Sequence, residues 1–311
     1  MAQLVSDIYL LARAMAACAR LHRRTGMYTQ ILASGDDAIG FLQGQLTQDL
    51  NDLSAEFSPL AAWCNPKGRV VAVLRLLALE NGVGLILPDA LAEPVITGLL
   101  RYRLRAQVEL LPAGAQWRAY ALSAGQDLAA LESMGLLPEP AANASRRRAG
   151  ITAVSLDTQR SVVELYADVA ALDTARLKFA APLSAGSWAA ARIQAGITDI
   201  DDTTTEQYTP HMLNLDRLGA ISFFKGCYPG QEIVARTEHL GSVKRSVARY
   251  RAHGTPVASG EPVQFAGVES GVVVASAGSW LLAMVPTELH DKTLSCAGQE
   301  ITPPDQTSGR I

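Results

Sequence analysis

The chain has 311 residues, which is more than one hydrophobic core usually organises, so its length favours two or three packed units. With 49% hydrophobic and 18% charged residues, the chain has the composition of a globular protein and not of a disordered one. A formal net charge of −3 excludes a generalised positive field for a polyanion, so we expect no direct DNA binding.

The first predicted element is an N-terminal helical leader, residues 1–24. Its apolar stretch, residues 8–21, is interrupted by Arg13 and Arg20 and is too short to cross a bilayer. Since the sequence shows neither a signal peptide nor a membrane segment, we expect a cytoplasmic protein without a membrane partner.

The cysteines indicate neither a disulfide framework nor a metal cage. They are far apart in sequence and show no CxxC or Cys/His pair at metal-ligand spacing: Cys18, Cys64, Cys227 and Cys296. A chain of this size does not need disulfides to fold, so we expect reduced thiols and no metal site.

Residues 25–116 predict an antiparallel sheet with two interleaved helices. Strands are predicted over residues 27–33, 60–64, 70–79, 83–87 and 107–111. Residues 34–37 and Asp89 offer N-cap chemistry for the two helices. The order β-α-β-β-β-α-β indicates an α+β fold with ferredoxin-like antiparallel layers.

The remainder of the chain predicts two further units. A shift to Ala- and Leu-rich segments marks residues 117–182 as an inserted second α+β unit, after which residues 183–243 return to the first. Short β-runs between Gly, Pro and Ser predict a small C-terminal β-barrel-like domain over residues 244–311, with strands at 247–250, 263–265, 272–275 and 281–285. The basic run Arg146–Arg148 is interpreted as a solvated loop without a function.

Residues 223–236 combine a thiol, a lysine, glycines and aromatic side chains, and contain the strongest candidate for a catalytic residue. Cys227 stands near Lys225 and near the donor-rich start of a predicted helix, and both features favour the thiolate. Gly226 and Gly230 would let the backbone turn around the thiol. The alternative is that Cys227 is a small core residue and Lys225 a solvated cation.

No histidine is adjacent to this thiol in sequence. His211 and His239 could approach Cys227 only through the fold, so the sequence does not predict a Cys–His pair.

Residues 225–236, which read KGCYPGQEIVAR, resemble the signature of the YgfZ family of folate-binding proteins. Similarity extends to residues 35–49, to the Pro66–Arg69 hairpin and to the stretch around Trp188, and covers about residues 27–245. Besides Lys225 and Cys227, the motif contains Gly226, Tyr228, Gly230, Gln231, Glu232 and Arg236.

The resemblance implies a three-domain ring, shared with the glycine-cleavage T-protein, an aminomethyltransferase. It also implies tetrahydrofolate or a derivative in the central channel. Trp188 matches one of two tryptophans that the family associates with folate, whereas Tyr28 replaces the other. Gln194 stands where the wider superfamily often has a glutamate that pairs with the pterin. From the residues alone, both aromatic side chains would be interpreted as core.

The implied function is that of a folate-binding accessory protein for iron–sulfur cluster assembly or repair, and hence for tRNA modification, acting through Cys227. Its partners would be folate and, transiently, iron–sulfur enzymes or assembly factors. Two alternatives stay open: a folate-dependent aminomethyl or one-carbon transferase, and a folate-independent thiol-redox protein.

Several charged residues remain outside the predicted site. Transfer requires a carboxylate over the folate, and Asp89 and Glu93 do not match the expected local pattern. Three arginines at a predicted helix end could cap the helix or meet the glutamate tail of the folate, and capping is preferred: Arg101, Arg103 and Arg105. In the hairpin, Lys67 and Arg69 are interpreted as solvated cations.

Overall fold

The structure is a computed structural model that describes residues 27–123, 125–179 and 182–304. The predicted leader and Cys18 lie outside the described residues. Within these ranges the chain forms two antiparallel sheets, a closed barrel and six α-helices. The predicted α+β class with antiparallel layers and a C-terminal barrel is therefore confirmed.

The first sheet has five strands in the order β2-β3-β4-β1-β5. The strands are β1 (Tyr28–Ser34), β2 (Leu60–Cys64), β3 (Val70–Leu79), β4 (Gly82–Pro88) and β5 (Glu109–Pro112). Helix α1 (Ala38–Gln43) follows β1, and helix α2 (Ala92–Leu100) follows β4. Long apolar runs make β2, β3 and β4 nearly continuous buried strands, which indicates that both faces of this part of the sheet are covered.

The first predicted helix cap is right in position but lacks the side-chain bond, and the second is wrong. Asp37 occupies the N-cap of α1 but makes no side-chain cap bond, because its Oδ2 accepts the Gln107 N–H at 2.7 Å and so ties the helix to the chain before β5. Asp89 begins a separate 3-10 turn, and α2 starts only at Ala92.

The second sheet has four strands in the order β6-β9-β8-β7. They are β6 (Trp117–Leu122), β7 (Ser145–Arg148), β8 (Ile151–Ser155) and β9 (Val163–Asp168), accompanied by helices α3 (Gly125–Ser133) and α4 (Val169–Thr174). Alternation along β9 sends Val163 and Leu165 into a local core with these helices. Glu164 and Tyr166 therefore point to the opposite face of the sheet.

The basic run Arg146–Arg148 is strand β7 and not a loop, so that prediction is wrong. Each of the three arginines has a partner: Arg146 pairs with Glu139 at 3.2 Å, Arg147 pairs with Glu80 at 3.1 Å, and Arg148 donates to the Met134 carbonyl at 3.0 Å. Partners on neighbouring segments allow three consecutive cations on an edge strand, where charged side chains also prevent pairing with another chain.

The barrel closes in the order β10-β13-β12-β11-β14-β15. Its strands are β10 (Arg245–Ala252), β11 (Pro262–Phe265), β12 (Val268–Ala277), β13 (Trp280–Pro286), β14 (Leu294–Cys296) and β15 (Gln299–Thr302). The sequence does not predict β14 and β15, because these strands have only three and four residues and mix polar with apolar side chains.

Two helices connect these units. Helix α5 (Ala185–Gln194) packs against β12 and β13 of the barrel, and helix α6 (Gln231–Leu240) precedes β10. Trp188 of α5 shares one core with the first sheet and with Leu282 and Met284 of the barrel. Within the described ranges, no helix has the length and apolar character needed to cross a membrane.

Candidate functional site

Lys225 anchors the motif that precedes α6. Although it is a lysine, it is buried, and its Nζ donates to three backbone carbonyls: Gln43 at 2.7 Å, Leu46 at 2.6 Å and Gln48 at 2.8 Å. Burial lowers the pKa of Lys225 to about 8. An ammonium has three N–H donors, so this set of carbonyls uses all of them. Lys225 thus joins the motif to the chain that follows α1.

Gly230 fixes the start of α6 against the β2–β3 hairpin. It has a φ of +81°, and a Cβ at this position would lie 2.6 Å from the Asn65 carbonyl oxygen and 2.7 Å from Gly68 Cα. Gly68 likewise has a φ of +69°, and a Cβ there would lie 2.8 Å from Ile233 Cβ. Only glycine permits both the left-handed backbone and this approach. The β2–β3 hairpin and the motif of residues 225–236, both of which resemble the YgfZ family in sequence, are therefore in direct contact.

Cys227 is exposed, whereas Cys64 and Cys296 are buried. Burial raises the pKa of the Cys64 thiol to about 12, so Cys64 is protonated at neutral pH. Gly226 beside Cys227 is also exposed, and Phe224 is 100% exposed. The thiol of Cys227 is thus presented on a segment that Lys225 and Gly230 hold at its two ends, and the exposed Phe224 stands three residues before it in sequence.

The other motif residues divide between packing and solvent. Tyr228 is buried, and its ring centroid lies 5.4 Å from Lys225 Nζ. Burial raises the pKa of Tyr228. Gln231 is partly exposed, and Glu232 and Arg236 are exposed on the first turns of α6. The sequence predicts that the Lys225 ammonium stabilises the thiolate of Cys227. In the structure, it donates its hydrogen bonds to three backbone carbonyls.

Trp188 and Tyr28, two of the three predicted folate contacts, lie together. Their ring centroids are 4.8 Å apart, and each residue is 6% exposed. The Trp188 Nε1–H donates to Glu164 Oε1 at 2.8 Å, and the Tyr28 hydroxyl donates to Asp199. The third, Gln194, ends α5 with an exposed side chain, while its backbone carbonyl accepts from Arg249 of β10.

A buried charge network underlies this aromatic pair. Glu164 accepts from Arg75 Nε at 2.9 Å, from Arg192 Nη1 at 2.7 Å and from the Tyr166 hydroxyl at 2.8 Å, besides Trp188. Arg192 also holds Asp199 through two bonds, of 3.0 and 2.7 Å. Two carboxylates and two guanidiniums thus join both sheets and α5, with their formal charges balanced.

The network determines how Glu164 ionises. Burial alone would raise the pKa of this carboxyl, but the Arg192 and Arg75 guanidiniums and the Trp188 hydrogen bond hold the pKa at about 2. Burial raises the pKa of Tyr28 and Tyr166 well above their usual range, so both phenols remain donors. One Arg75 nitrogen, Nη2, is buried without a partner among the described residues.

The sequence analysis did not identify this network. A signal existed, because Arg75 interrupts the apolar run of β3 and Glu164 interrupts that of β9. A charge inside a buried strand requires a partner of opposite charge. The pairing itself joins residues 89 positions apart, which no local pattern reveals.

The remaining candidates are peripheral or serve local structure. Asp89 and Glu93 are exposed, as are Arg101, Arg103, Arg105 and Lys67. Arg69 donates to the Gln207 carbonyl at 2.7 Å, and His211 lies 3.1 Å from Glu238.

The chain is similar to known proteins in sequence and in fold. The tRNA-modifying protein YgfZ from Escherichia coli O127:H6 (strain E2348/69 / EPEC) is 31% identical over 227 residues, covering 69% of this chain and 66% of that protein. The protein of the same name from Enterobacter sp. (strain 638) is 33% identical over 218 residues, with the same coverage. That from Cronobacter sakazakii (strain ATCC BAA-894) is 31% identical over 237 residues, covering 72% and 69%. The chain thus spans just under two thirds of the first two relatives' length.

The fold similarity extends further than the sequence similarity. The crystal structure of glycine cleavage system aminomethyltransferase T from Bartonella henselae superposes with a TM-score of 0.70 at 16% identity, covering 91% of this chain and 84% of that one. No protein-family model matches the chain. This fold, together with more than 30% identity over two thirds of a relative, identifies the group. The chain belongs to the YgfZ family.

Proposed function

We propose that this protein is a cytoplasmic, tetrahydrofolate-binding accessory protein that supports tRNA modification through iron–sulfur enzymes and acts through Cys227. The observation that carries the proposal is the exposure of this one thiol on a segment fixed by the buried Lys225 and by Gly230. Tight anchoring of an exposed nucleophile is typical of a functional site, because a structural cysteine is usually buried.

The tRNA part of the proposal rests on the relatives, which are named tRNA-modifying proteins. The iron–sulfur part follows from the family resemblance and from the chemistry of the thiol. A single cysteine supplies too few ligands to retain a cluster, so Cys227 would act on a cluster or thiol that a partner protein holds. The fully exposed Phe224 offers such a partner an apolar contact three residues away.

The folate part rests on the residue types that the family resemblance associates with the cofactor: Gln194, Trp188 and Tyr28. Gln194 has an exposed amide that can both donate to and accept from a pterin. Trp188 and Tyr28 have their polar atoms engaged by Glu164 and Asp199, so they would contribute apolar contact and rigidity. In this proposal, Gln194 makes the hydrogen bonds to the pterin while the aromatic pair keeps its internal bonds.

Calorimetric titration with tetrahydrofolate tests this assignment. The wild-type protein should bind saturably, and Gln194→Ala should weaken binding by about 2- to 10-fold, since one hydrogen bond contributes roughly 0.5–1.5 kcal/mol. Gln116→Ala removes another exposed glutamine side chain and should leave the Kd unchanged. Because Gln194 is exposed, both variants should keep the wild-type Tm.

Two results would contradict the folate assignment. The absence of saturable binding at millimolar tetrahydrofolate would remove folate and leave a thiol protein on this fold. Equal Kd values for wild type and Gln194→Ala would place the pterin away from the end of α5.

A further inference from the structure

A cluster of three metal-ligating side chains lies apart from Cys227 and from the aromatic pair. His211, Asp216 and Glu238 offer one ligand atom each, and these atoms lie within 4.8 Å of one another. Among the described residues, this is the one group of three His, Cys, Asp or Glu side chains that meets such a distance. The three positions belong to no local motif, so cysteine and histidine spacing could not reveal them.

Buried atoms without partners occur at two of the three residues. The His211 side chain is 3% exposed, and its Nε2 lies 3.1 Å from Glu238 Oε2. The other ring nitrogen, Nδ1, is buried and has no hydrogen-bond partner among the described residues, and the same holds for Asp216 Oδ1. One imidazole gives a single nitrogen to one ion, so a cation that takes Nε2 beside Glu238 leaves Nδ1 as a ring N–H, and Asp216 Oδ1 is the buried unpartnered atom that can bind the cation. A buried polar atom without a partner destabilises the fold unless something binds it.

The charge at the cluster also favours a cation. Asp216 and Glu238 bring two carboxylates to one imidazole, and within the described part of the chain neither carboxylate forms an ion pair with a lysine or arginine. Two like charges at this separation repel each other unless a cation neutralises them.

The backbone beside His211 is anchored, whereas the Glu238 side chain is adjustable. His211 begins the 3-10 turn His211–Leu213. The next residue, Asn214, has a φ of 54° and donates through Nδ2 to the Val247 carbonyl of β10 at 2.8 Å. The Phe223 ring lies 6.2 Å from the His211 ring. Glu238 lies in the last turn of α6, and its side chain is 38% exposed, so it can rotate towards a bound ion.

We infer that His211, Asp216 and Glu238 form a binding site for a divalent transition-metal ion, with Zn²⁺ as the ion that fits the ligands best. Zinc accepts imidazole nitrogen and carboxylate oxygen at about 2.0–2.2 Å, which places tetrahedral ligands about 3.4 Å apart. The His211–Glu238 distance of 3.1 Å is already close to this value. An imidazole ligand favours zinc over Mg²⁺ and Ca²⁺, which prefer oxygen ligands alone.

The site would connect the last turn of α6 to the loop that carries His211 and Asp216. Glu238 lies seven residues after Gln231, which is about 10 Å along the helix from the end that follows Cys227. The ion would therefore stabilise the helix behind the motif without using the thiol as a ligand.

Metal titration of the untagged, EDTA-treated, full-length protein tests the site. Zn²⁺ binding by calorimetry and Co²⁺ binding by visible absorbance should both show one ion per chain. Zn²⁺ at a hundredfold excess over its Kd should raise the Tm by about 4 °C. Mg²⁺ and Ca²⁺ at the same concentration should not change the Tm.

Variants separate this site from other metal-binding groups. His211→Gln and Glu238→Gln should each weaken Zn²⁺ binding at least about 100-fold, since even residues that only support a ligand contribute 10- to 100-fold. Glu238→Gln changes a half-exposed side chain, so its fold is kept even where that of His211→Gln is not. His239→Gln, an exposed neighbour on α6, and Cys227→Ser should bind like wild type.

Either of two outcomes would overturn the inference. One is the absence of stoichiometric Zn²⁺ binding at 1 mM metal, an ample concentration for a site of this class. The other is wild-type affinity in Glu238→Gln or lost affinity in His239→Gln or Cys227→Ser, which would place the ion elsewhere.

Discussion

Replacing Glu164 by glutamine should destabilise the protein strongly, because it removes one charge from the balanced network. Glu164 is fully buried and accepts four hydrogen bonds, from Arg75, Arg192, Trp188 and Tyr166. In Glu164→Gln, Arg75 would lose its carboxylate partner, and Arg192 would keep only Asp199. Breaking a buried ion pair by removing one partner costs about 3–5 kcal/mol.

The pKa of Glu164 gives a second estimate of the same order. Lowering this pKa from its ordinary value of 4.5 to about 2 corresponds to roughly 3 kcal/mol in favour of the folded state. Because the folded pKa lies below the unfolded one, this contribution is complete above about pH 4.5 and is lost as the pH falls towards 2. The Glu164→Gln variant should lack this part of the acid dependence.

Urea denaturation measures both effects. The free energy of unfolding of Glu164→Gln at pH 7 should be lower than that of wild type by about 3–5 kcal/mol. The control is Glu80→Gln, which removes the acid of the exposed Arg147–Glu80 pair at 3.1 Å and should cost no more than about 1 kcal/mol. If Glu164→Gln were within 1 kcal/mol of wild type, or no worse than Glu80→Gln, the network would not hold the sheets together.

Three further predictions concern the motif around Cys227. Gly230→Ala should lower the free energy of unfolding by about 2–4 kcal/mol, because its Cβ would meet the Asn65 carbonyl at 2.6 Å in a left-handed backbone. Gly226→Ala is the control: a Cβ there has no neighbouring atom within 4 Å, so this variant should keep the wild-type Tm. Lys225→Met should cost about 2–4 kcal/mol in urea denaturation, since three carbonyls lose their donor, and equal stability would contradict the anchoring role. Iodoacetamide labelling followed by peptide mass spectrometry should modify Cys227 at least about tenfold faster than Cys64 or Cys296 in the native protein, and similar rates would contradict its exposure.

Much of the fold follows from local patterns. The strands β2 and β3 begin and end where the sequence predicts, because the turn residues of the hairpin between Cys64 and Val70 bound two apolar runs. Strands β14 and β15 lack such runs, so they become strands only because the barrel must close. The basic run that forms strand β7 also gives no local signal, because its pairing with β8 and its distant carboxylate partners decide its structure.

The candidate site was predictable in its residues but not in their contacts. The sequence identifies Cys227 and Lys225 as neighbours, but the partners of Lys225 lie 177 to 182 positions upstream. Likewise, Trp188 and Tyr28 are brought together only by the assembled sheets and α5. Local chemistry therefore indicates which residues matter, whereas long-range packing decides whether a cation acts on a thiol or on carbonyl oxygens.

The proposed role of Cys227 is tested most directly in cells that lack their own YgfZ protein. An Escherichia coli strain of this kind would express wild type, Cys227→Ser or Cys296→Ser at equal levels, and the thio-modified nucleosides of its tRNA would be quantified by mass spectrometry. Serine keeps the size of the side chain but not the nucleophilicity of the thiolate. Restoration by wild type and Cys296→Ser but not by Cys227→Ser is the predicted result, and equal restoration by Cys227→Ser would contradict the central claim.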